Sequence, residues 1–153
     1  MPSYDDRTEE ALAFLAAHFG VVDLPGLVVE PDGDLWLTTA GEPPASVPCR
    51  AIGLRLLRRL PGGLKPTSFG LMALGDRIRR QRVELSPRQL WTLLHGRPLP
   101  YHGDASPGYV ALCLNGEVVG CGLLQGGHLR CQIPTGRRRD LLNAMSAGHP
   151  GGV

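Results

Sequence analysis

Three consecutive arginines near the end of the sequence have the type and spacing that most clearly suggest chemistry. The stretch GHLRCQIPTGRRRDLL, residues 127–142, predicts a last strand that runs into a helix headed by Arg137, Arg138 and Arg139. The dipole at a helix N-terminus favours acids, so arginines there cost stability unless an anion binds. Guanidinium groups beside free backbone amides suit phosphate. The stretch therefore indicates a phosphate-binding surface, and the alternative is a solvated basic turn relieved by Asp140.

The charge of the chain is divided unevenly along its length. The 153 residues carry a formal net charge of +2. Residues 1–45 hold one base and nine acids, a net charge of −8, whereas residues 46–153 hold fifteen bases and five acids, a net charge of +10. A positive body of this size is typical of a protein that binds a polyanion. Two further clusters could extend the basic surface: Arg55, Arg58, Arg59 and Lys65 in one, and Arg77, Arg79, Arg80 and Arg82 in the other.

Cysteine and histidine residues show no spacing typical of a metal site or a catalytic site. The cysteines lie too far apart for paired zinc ligands, and three of them fall within apolar runs, so we expect buried, reduced thiols. The histidines stand in no nucleophile motif and in no ligand spacing. We therefore expect no catalytic residue, no bound metal and no cofactor. The residues considered are Cys49, Cys113, Cys121, Cys131, His18, His95, His102 and His128.

Length and hydropathy are those of ordinary folded domains. One domain or two small ones fit 153 residues, and a hydrophobic content of 42% can supply a core. The sequence has no apolar run of about 18 residues, the length that a membrane span needs. Its first residues, MPSYDDRTEE, are polar and acidic, unlike a secretory signal. We expect a cytoplasmic protein without disulfides and without a membrane partner.

The N-terminal third predicts one helix followed by a hairpin. Asp6 and Glu9 suit the start of a helix over residues 6–18, and Gly20 suits its end. A Pro-Asp-Gly turn between two apolar runs predicts a hairpin over residues 27–39. The polar, proline-rich GEPPASVP that follows predicts a loop.

The middle third predicts a strand and two short helices. Residues 50–59 fit a strand or a helix by periodicity, and the glycine inside them and the Pro-Gly-Gly after them favour a strand. Each helix follows a residue that can accept a hydrogen bond at its N-terminus. The first helix covers residues 69–74 with Thr67 or Ser68 as its cap, and the second has Ser86 as cap, Pro87 as its first residue and Gly96 at its end.

The final third predicts a three-stranded meander and a last helix. Asn115-Gly116 and Gly126-Gly127 are turn sequences between apolar runs. The last helix is expected over residues 137–145. Together with the first two thirds this gives an α+β fold, with a boundary between two lobes near residues 80–86.

Several short motifs, in this order and spacing, resemble the C-terminal extension of the NOL1/NOP2/Sun family of RNA cytosine-C5 methyltransferases. That extension carries a PUA-like RNA-binding domain. The resemblance covers about residues 50–142, and Thr135 departs from it by standing where the family usually has lysine. The matching motifs are Lys65-Pro66-Thr67, Leu94-His95-Gly96, Gly108-Tyr109-Val110, Gly120-Cys121-Gly122 and Pro134-Thr135-Gly136-Arg137-Arg138.

The catalytic parts of that family have no counterpart in the motifs found here. We see no glycine-rich βαβ unit for a methyl-donor cofactor, and the nearest match to a catalytic Pro-Cys is Cys49 in VPC, which we interpret as coincidence. The resemblance implies a small N-terminal α/β lobe over residues 1–82. It also implies a PUA-like mixed β-barrel with short helices over residues 83–153. We expect this chain not to be an enzyme.

The resemblance further implies binding of structured rRNA or tRNA, in RNA modification and ribosome biogenesis. It leaves open that the chain acts in trans with a methyltransferase subunit. The competing hypothesis is a charged protein-interaction adaptor that does not bind RNA. The RNA contacts that we expect are Lys65, Gly122, Arg130, Gln132, Arg137, Arg138 and Arg139, and we expect reversal of the charge of Arg137 and Arg138 to abolish RNA binding without unfolding the chain.

Overall fold

Two antiparallel-rich sheets and four helices make up the fold of the computed structural model, which describes residues 5–38 and 53–147. The predicted loop at 41–48, the first residues of the predicted strand at 50–52, and Cys49 lie outside the described residues. The elements of the first half are β1 (Asp5–Asp6), α1 (Thr8–Phe19), β2 (Leu27–Glu30), β3 (Leu35–Thr38), β4 (Gly53–Leu60), β5 (Gly63–Pro66), α2 (Ser68–Leu74) and a 3₁₀ turn (Gly75–Arg77). Those of the second half are β6 (Arg82–Leu85), α3 (Pro87–Leu94), β7 (Leu99–Pro100), β8 (Gly108–Leu114), β9 (Glu117–Gln125), β10 (His128–Cys131) and α4 (Thr135–Ala147).

The first sheet has the strand order β1-β2-β3-β4-β5, and helix α1 precedes its central hairpin. The predicted helix is confirmed, but it begins at Thr8 and not at Asp6. The Asp6 carboxylate instead accepts hydrogen bonds from the Thr8 backbone N–H (2.9 Å) and hydroxyl (2.7 Å). Gly20 ends the helix at φ +67°, a left-handed conformation that glycine adopts without a steric cost. The strand predicted over residues 50–59 is confirmed as β4.

The second sheet has the order β6-β8-β9-β10-β7, and its strand β6 runs parallel to β8. The predicted meander β8-β9-β10 is confirmed, with Asn115 (φ +52°) and Gly116 (φ +81°) in its first turn. Helix α3 connects β6 to β7 and begins with a capping box. The Ser86 hydroxyl accepts a hydrogen bond from the Gln89 backbone N–H, and the Gln89 side chain accepts one from the Ser86 backbone N–H. The α+β class with a PUA-like mixed sheet, predicted from the sequence, is confirmed.

Strands β8 and β9 are buried on both faces, because they lie between two hydrophobic clusters. Ala111, Cys113 and Cys121 pack into the first cluster, with α1, α2 and the first sheet. Val110 and Leu112 pack into the second cluster, with α3 and the side of α4. The strands of the first sheet all precede residue 82, and those of the second begin there. Since the first cluster draws on both sheets, the division into domains 1–82 and 83–153 stays a prediction.

The described cysteines are the buried, reduced thiols that their apolar surroundings predicted. Cys113 and Cys121 are buried, Cys131 is half-buried, and all three are free. Burial raises the pKa of the Cys121 thiol to about 12, because the thiolate would lose its hydration. These thiols are therefore protonated at neutral pH and act as small apolar groups.

No helix within residues 5–38 and 53–147 has the length and apolar character needed to span a bilayer.

Candidate nucleic-acid interface

Helix α4 begins two residues before the predicted position, so the three arginines lie inside its first turns. The Pro134 carbonyl accepts the first helical hydrogen bond, from the Arg138 backbone N–H at 2.9 Å. Thr135 is therefore the first helical residue, and Arg137 is the third. Proline suits this boundary because its φ is preset and its missing N–H is not needed there.

Arg138 is bound internally and joins the helix to the strand before it. Its Nε donates to the Ile133 carbonyl at 2.6 Å, and its Nη2 donates to the Cys131 carbonyl at 3.4 Å. The Cys131 carbonyl belongs to the end of β10, and the Ile133 carbonyl belongs to the turn after it. The Arg138 guanidinium is half-buried in this position and supports the junction between β10 and α4.

Arg137 and Arg139 have no counter-charge within residues 5–38 and 53–147. Among the described residues, no carboxylate lies within ion-pair distance of either guanidinium, and Asp140 is exposed without an arginine partner. Arg139 is exposed, whereas Arg137 is half-buried, with its Nε hidden from solvent and lacking a hydrogen-bond acceptor in the described chain. The alternative interpretation, in which Asp140 neutralises the arginines, therefore does not hold.

A second basic group forms where the edge of the first sheet reaches the end of β10. Lys65 Nζ donates to Gln132 Oε1 at 2.9 Å and lies 5.9 Å from the centroid of the Tyr109 ring. The Gln132 backbone N–H donates to the Cys121 carbonyl at 2.9 Å, which fixes the residue just after β10 and beside the middle of β9. Burial raises the pKa of Tyr109, so its phenol stays protonated. The structure thus brings two of the predicted contact residues, Lys65 and Gln132, together.

Arg58 extends this second group and was not among the predicted contact residues. It lies directly opposite Lys65 in the antiparallel pair of β4 and β5, and it is exposed. Like charges at directly opposed positions of a sheet destabilise the pair unless an anion lies between them. The sequence shows Arg58 as part of a basic cluster. It does not show the strand register that places Arg58 opposite Lys65.

Arg130 and Gly122, the remaining predicted contacts, lie in different environments. Arg130 is exposed on β10, two residues before Gln132 and on the same side of the strand. Gly122 is buried, and a Cβ there would lie 2.8 Å from Leu112 Cδ2 and 3.2 Å from Val110 Cγ2. The absence of a side chain at Gly122 is required by the packing of β8 against β9.

Three arginines of the other basic clusters are neutralised by acids of the N-terminal third. Arg59 binds Glu10 at 2.9 Å and Glu30 at 2.7 Å through Nη2. Arg55 lies 3.4 Å from Asp34, and Arg77 lies 3.6 Å from Asp23. The acidic and basic parts of the sequence are therefore joined in the fold at these three arginines.

Two more arginines, expected to extend the basic surface, are used by backbone carbonyls. Arg80 donates to the carbonyls of Ala16 and Ala17 at the end of α1, where the helix dipole favours a cation. Arg82 donates to the carbonyls of Gly75, Ile78 and Gly116. Their guanidinium groups hold loops in place, so the cluster 77–82 contributes less free charge than its sequence suggests.

Two neighbouring parts of the chain carry bases that have no acid partner among the described residues. One part, the strand rim, comprises the bases Arg58, Lys65 and Arg130 together with Gln132, the neutral acceptor of Lys65; the other, the helix start, comprises Arg137 and Arg139. Residues 130–139 link the two parts without interruption, through the junction that Arg138 fixes. Guanidinium and ammonium groups without counter-ions among the described residues suit a chain of phosphates.

A known family model matches part of the second half of the chain. Residues 80–139 match the family described as the methyltransferase RsmF PUA domain. The match contains every predicted contact residue except Lys65. It confirms the resemblance to a PUA-like extension that the motifs indicated.

A curated relative carries the same likeness over more of the chain. The sequence is 28% identical over 148 residues to "Ribosomal RNA small subunit methyltransferase F" of Shewanella loihica. The alignment covers 94% of this chain and 30% of the relative, so the chain spans about a third of the length of the curated relative that it matches. The N-terminal lobe, outside the family match, is therefore included in this similarity.

Proposed function

We propose that this chain is an RNA-binding module that holds structured ribosomal RNA by its phosphate backbone. The observation that carries the proposal is the contrast between two sets of bases. Arg55, Arg59 and Arg77 have carboxylate partners, whereas the strand rim and the helix start have none in the described chain. Since an uncompensated cation cluster costs folding free energy, an external polyanion is its expected counter-charge.

Recognition of shape and phosphate fits the composition better than recognition of base sequence. Aromatic residues make up 5% of the chain, and most contacts available on the proposed surface are from arginine and lysine. Arginine binds phosphate oxygens through two parallel N–H donors, and Lys65 supplies a point charge. Such contacts position a protein on folded RNA without reading individual bases.

The ion pairs of the N-terminal third favour RNA over the alternative of a charged protein adaptor. Glu10, Glu30 and Asp34 already have arginine partners within the chain. Several of the acids that an adaptor would offer to another protein are thus already paired with arginines. The bases of the strand rim and the helix start have no acid partner among the described residues. Absence of RNA binding by this chain would favour the adaptor.

We also propose that the module serves an RNA cytosine-C5 methyltransferase, acting in trans with a catalytic partner. The support is the similarity to a ribosomal RNA small subunit methyltransferase, of which this chain spans 30%. In this role the module binds the RNA and the partner supplies the chemistry. Tagged chain should recover a methyltransferase from cell extract after nuclease treatment, and recovery of none would contradict the partnership while leaving RNA binding intact.

The direct test of RNA binding compares charge removal at free and at paired arginines. The double variant R137Q/R139Q should bind a small-subunit rRNA fragment more weakly, and the slope of log affinity against log salt should fall by about one per lost phosphate contact. The variant R55Q/R77Q removes the same charge from arginines that have carboxylate partners, so its slope should stay near that of the wild type. Equal slopes for the two double variants would reject the assigned surface.

A transfer RNA should be measured beside the rRNA fragment. A module that reads shape and phosphate is expected to bind both folded RNAs with steep salt dependence and to differ in affinity. Absence of binding to either RNA at low salt would reject the RNA-binding proposal as a whole.

A further inference from the structure

The outer face of α3 carries an aromatic pair that neither core cluster uses. Trp91 is 42% exposed, and its ring lies 4.7 Å from that of His95, centroid to centroid, at an interplanar angle of 49°. Tryptophan is usually well buried, so a large exposed indole on a short, well-capped helix marks a surface that meets a partner.

The sequence of α3 places this pair outward by its spacing. Leu90, Leu93 and Leu94 are buried against the second cluster, which directs the intervening Trp91 and the following His95 to the other side. These two residues are four apart, so their rings stand one above the other. His95 Nδ1 is 2.8 Å from the Trp91 carbonyl, and because a carbonyl only accepts, Nδ1 donates and the imidazole ring is held in place.

The charged groups beside the pair are cationic. Arg88 lies three residues before Trp91 on the same side of the helix, and Arg97 follows His95 in the turn; both are exposed. Neither forms an ion pair with a carboxylate in residues 5–38 or 53–147. The aromatic surface is thus bordered by bases that have no internal acid.

The C-terminal end of α3 lies close to the start of α4. A Cβ at Gly96 would lie 3.8 Å from Arg138 Nη1, and α3 and α4 pack against one cluster through Leu94 and Leu141. His95, one residue before Gly96, therefore stands at the end of α3 that approaches the helix start.

We propose that Trp91, supported by His95, is a stacking platform for an unpaired nucleobase of the bound RNA. The inference rests on the proposed function and specifies its ligand: a structured RNA with a single-stranded nucleotide next to the helix. The indole offers a π face to any base. Arg88 and Arg97 donate hydrogen bonds to the phosphates on either side of that nucleotide. A paired base cannot reach the platform without leaving its stack.

Intrinsic fluorescence tests the platform, because the chain contains two tryptophans, Trp36 and Trp91. In the variant W36F the emission comes from Trp91, and a stacked base quenches an indole. The probes are an RNA hairpin with a short single-stranded tail and the same hairpin with a blunt end. We expect quenching by the tailed hairpin and little by the blunt one. The matched control W91F, which emits from Trp36, should be quenched by neither.

Affinity measurements give the second readout. W91A should weaken binding of the tailed hairpin by roughly 5- to 100-fold, the range for loss of one base stack. Binding of the blunt hairpin should be unchanged, because its contacts are with phosphates. Since Trp91 is exposed, the folded content by circular dichroism should match that of the wild type.

Three outcomes would overturn the platform. Equal affinity of W91A and wild type for the tailed hairpin, or equal quenching of Trp91 by both hairpins, rejects the platform while the RNA-binding proposal stands. Failure of the wild type to bind either hairpin rejects both proposals together.

Discussion

Arg138 and Arg139 are neighbours in the sequence but have different structural roles, which the sequence alone cannot distinguish. Arg138 donates to the Ile133 and Cys131 carbonyls, whereas Arg139 is exposed to solvent. Both have the same side chain and stand in the same helix, so residue type predicts the same function. What separates them is the direction in which each leaves α4, which depends on where the helix starts.

At the residue scale, the substitution R138Q should lower the free energy of unfolding by about 1–3 kcal/mol. A charge-assisted hydrogen bond to an otherwise unpaired carbonyl is worth about 1.5–3 kcal/mol, and glutamine cannot reach both acceptors. The matched variant R139Q removes the same charge from an exposed position and should change stability by less than about 0.5 kcal/mol. Urea unfolding followed by circular dichroism measures both. Equal stability of the two variants would contradict the assignment of Arg138 to the β10–α4 junction.

The sequence predicts that charge reversal at Arg137 and Arg138 leaves the fold intact. Because Arg138 supports the β10–α4 junction, this double variant would lose stability as well as RNA contacts. Lys65 and Gln132 could be named from residue type and motif, but their contact joins residues 67 apart in the chain. Arg58 could be named only as one member of a basic cluster, because its position opposite Lys65 depends on the strand register.

At the scale of elements, local signals predicted the helices and the meander and missed the long-range pairing. Caps at Thr67 and Ser86 and turns at Asn115 and Gly126 act within a few residues, so the sequence displays them directly. The parallel pair β6–β8 joins Arg82–Leu85 to residues 111–114, and no local pattern marks a parallel partner. Strand β7 is two residues long and escapes any periodicity.

The capping box of α3 gives the prediction at this scale. S86A removes the hydroxyl that accepts from Gln89 N–H at 3.1 Å and should lower the free energy of unfolding by about 1 kcal/mol. Thermal unfolding of S86A beside S146A, an exposed serine near the end of α4, provides the comparison. If S86A melts at the same temperature as S146A, the box does not stabilise the helix that carries Trp91.

Across the whole molecule, the uneven charge division of the sequence is partly cancelled by folding. Arg55, Arg59 and Arg77 join the basic part to acids of the N-terminal third. The bases without an acid partner among the described residues include those of the strand rim, the helix start and the outer side of α3. Counting charges along the chain predicted a polyanion partner. It could not predict which bases would be free, because that depends on which strands bring acids and bases together.

The Arg59 pairs predict how stability depends on pH. The hydrogen bond from Arg59 lowers the pKa of Glu10 below its usual 4.5. A carboxyl whose pKa is lowered by folding stabilises the fold above the unfolded-state pKa, and this contribution is lost as the pH falls through the folded-state pKa. Denaturant titrations between pH 7 and pH 3 should therefore show a smaller loss of stability for E10Q than for the wild type.

The control for this prediction is E9Q, at an exposed acid one residue away that has no base partner among the described residues. Its pH profile should follow that of the wild type. An E10Q profile as steep as that of E9Q would show that the Arg59 pairs do not contribute.

The central claim is that bases without an internal acid, and not basic residues in general, form the RNA-binding surface. Chemical-shift mapping of backbone amides, with a small-subunit rRNA fragment added to the full chain, tests it most directly. The account predicts the largest shifts in residues 128–139 and 58–66, with few in residues 77–82, where Arg77, Arg80 and Arg82 are already bound within the chain. The largest shifts at residues 77–82, or along α1, would contradict it.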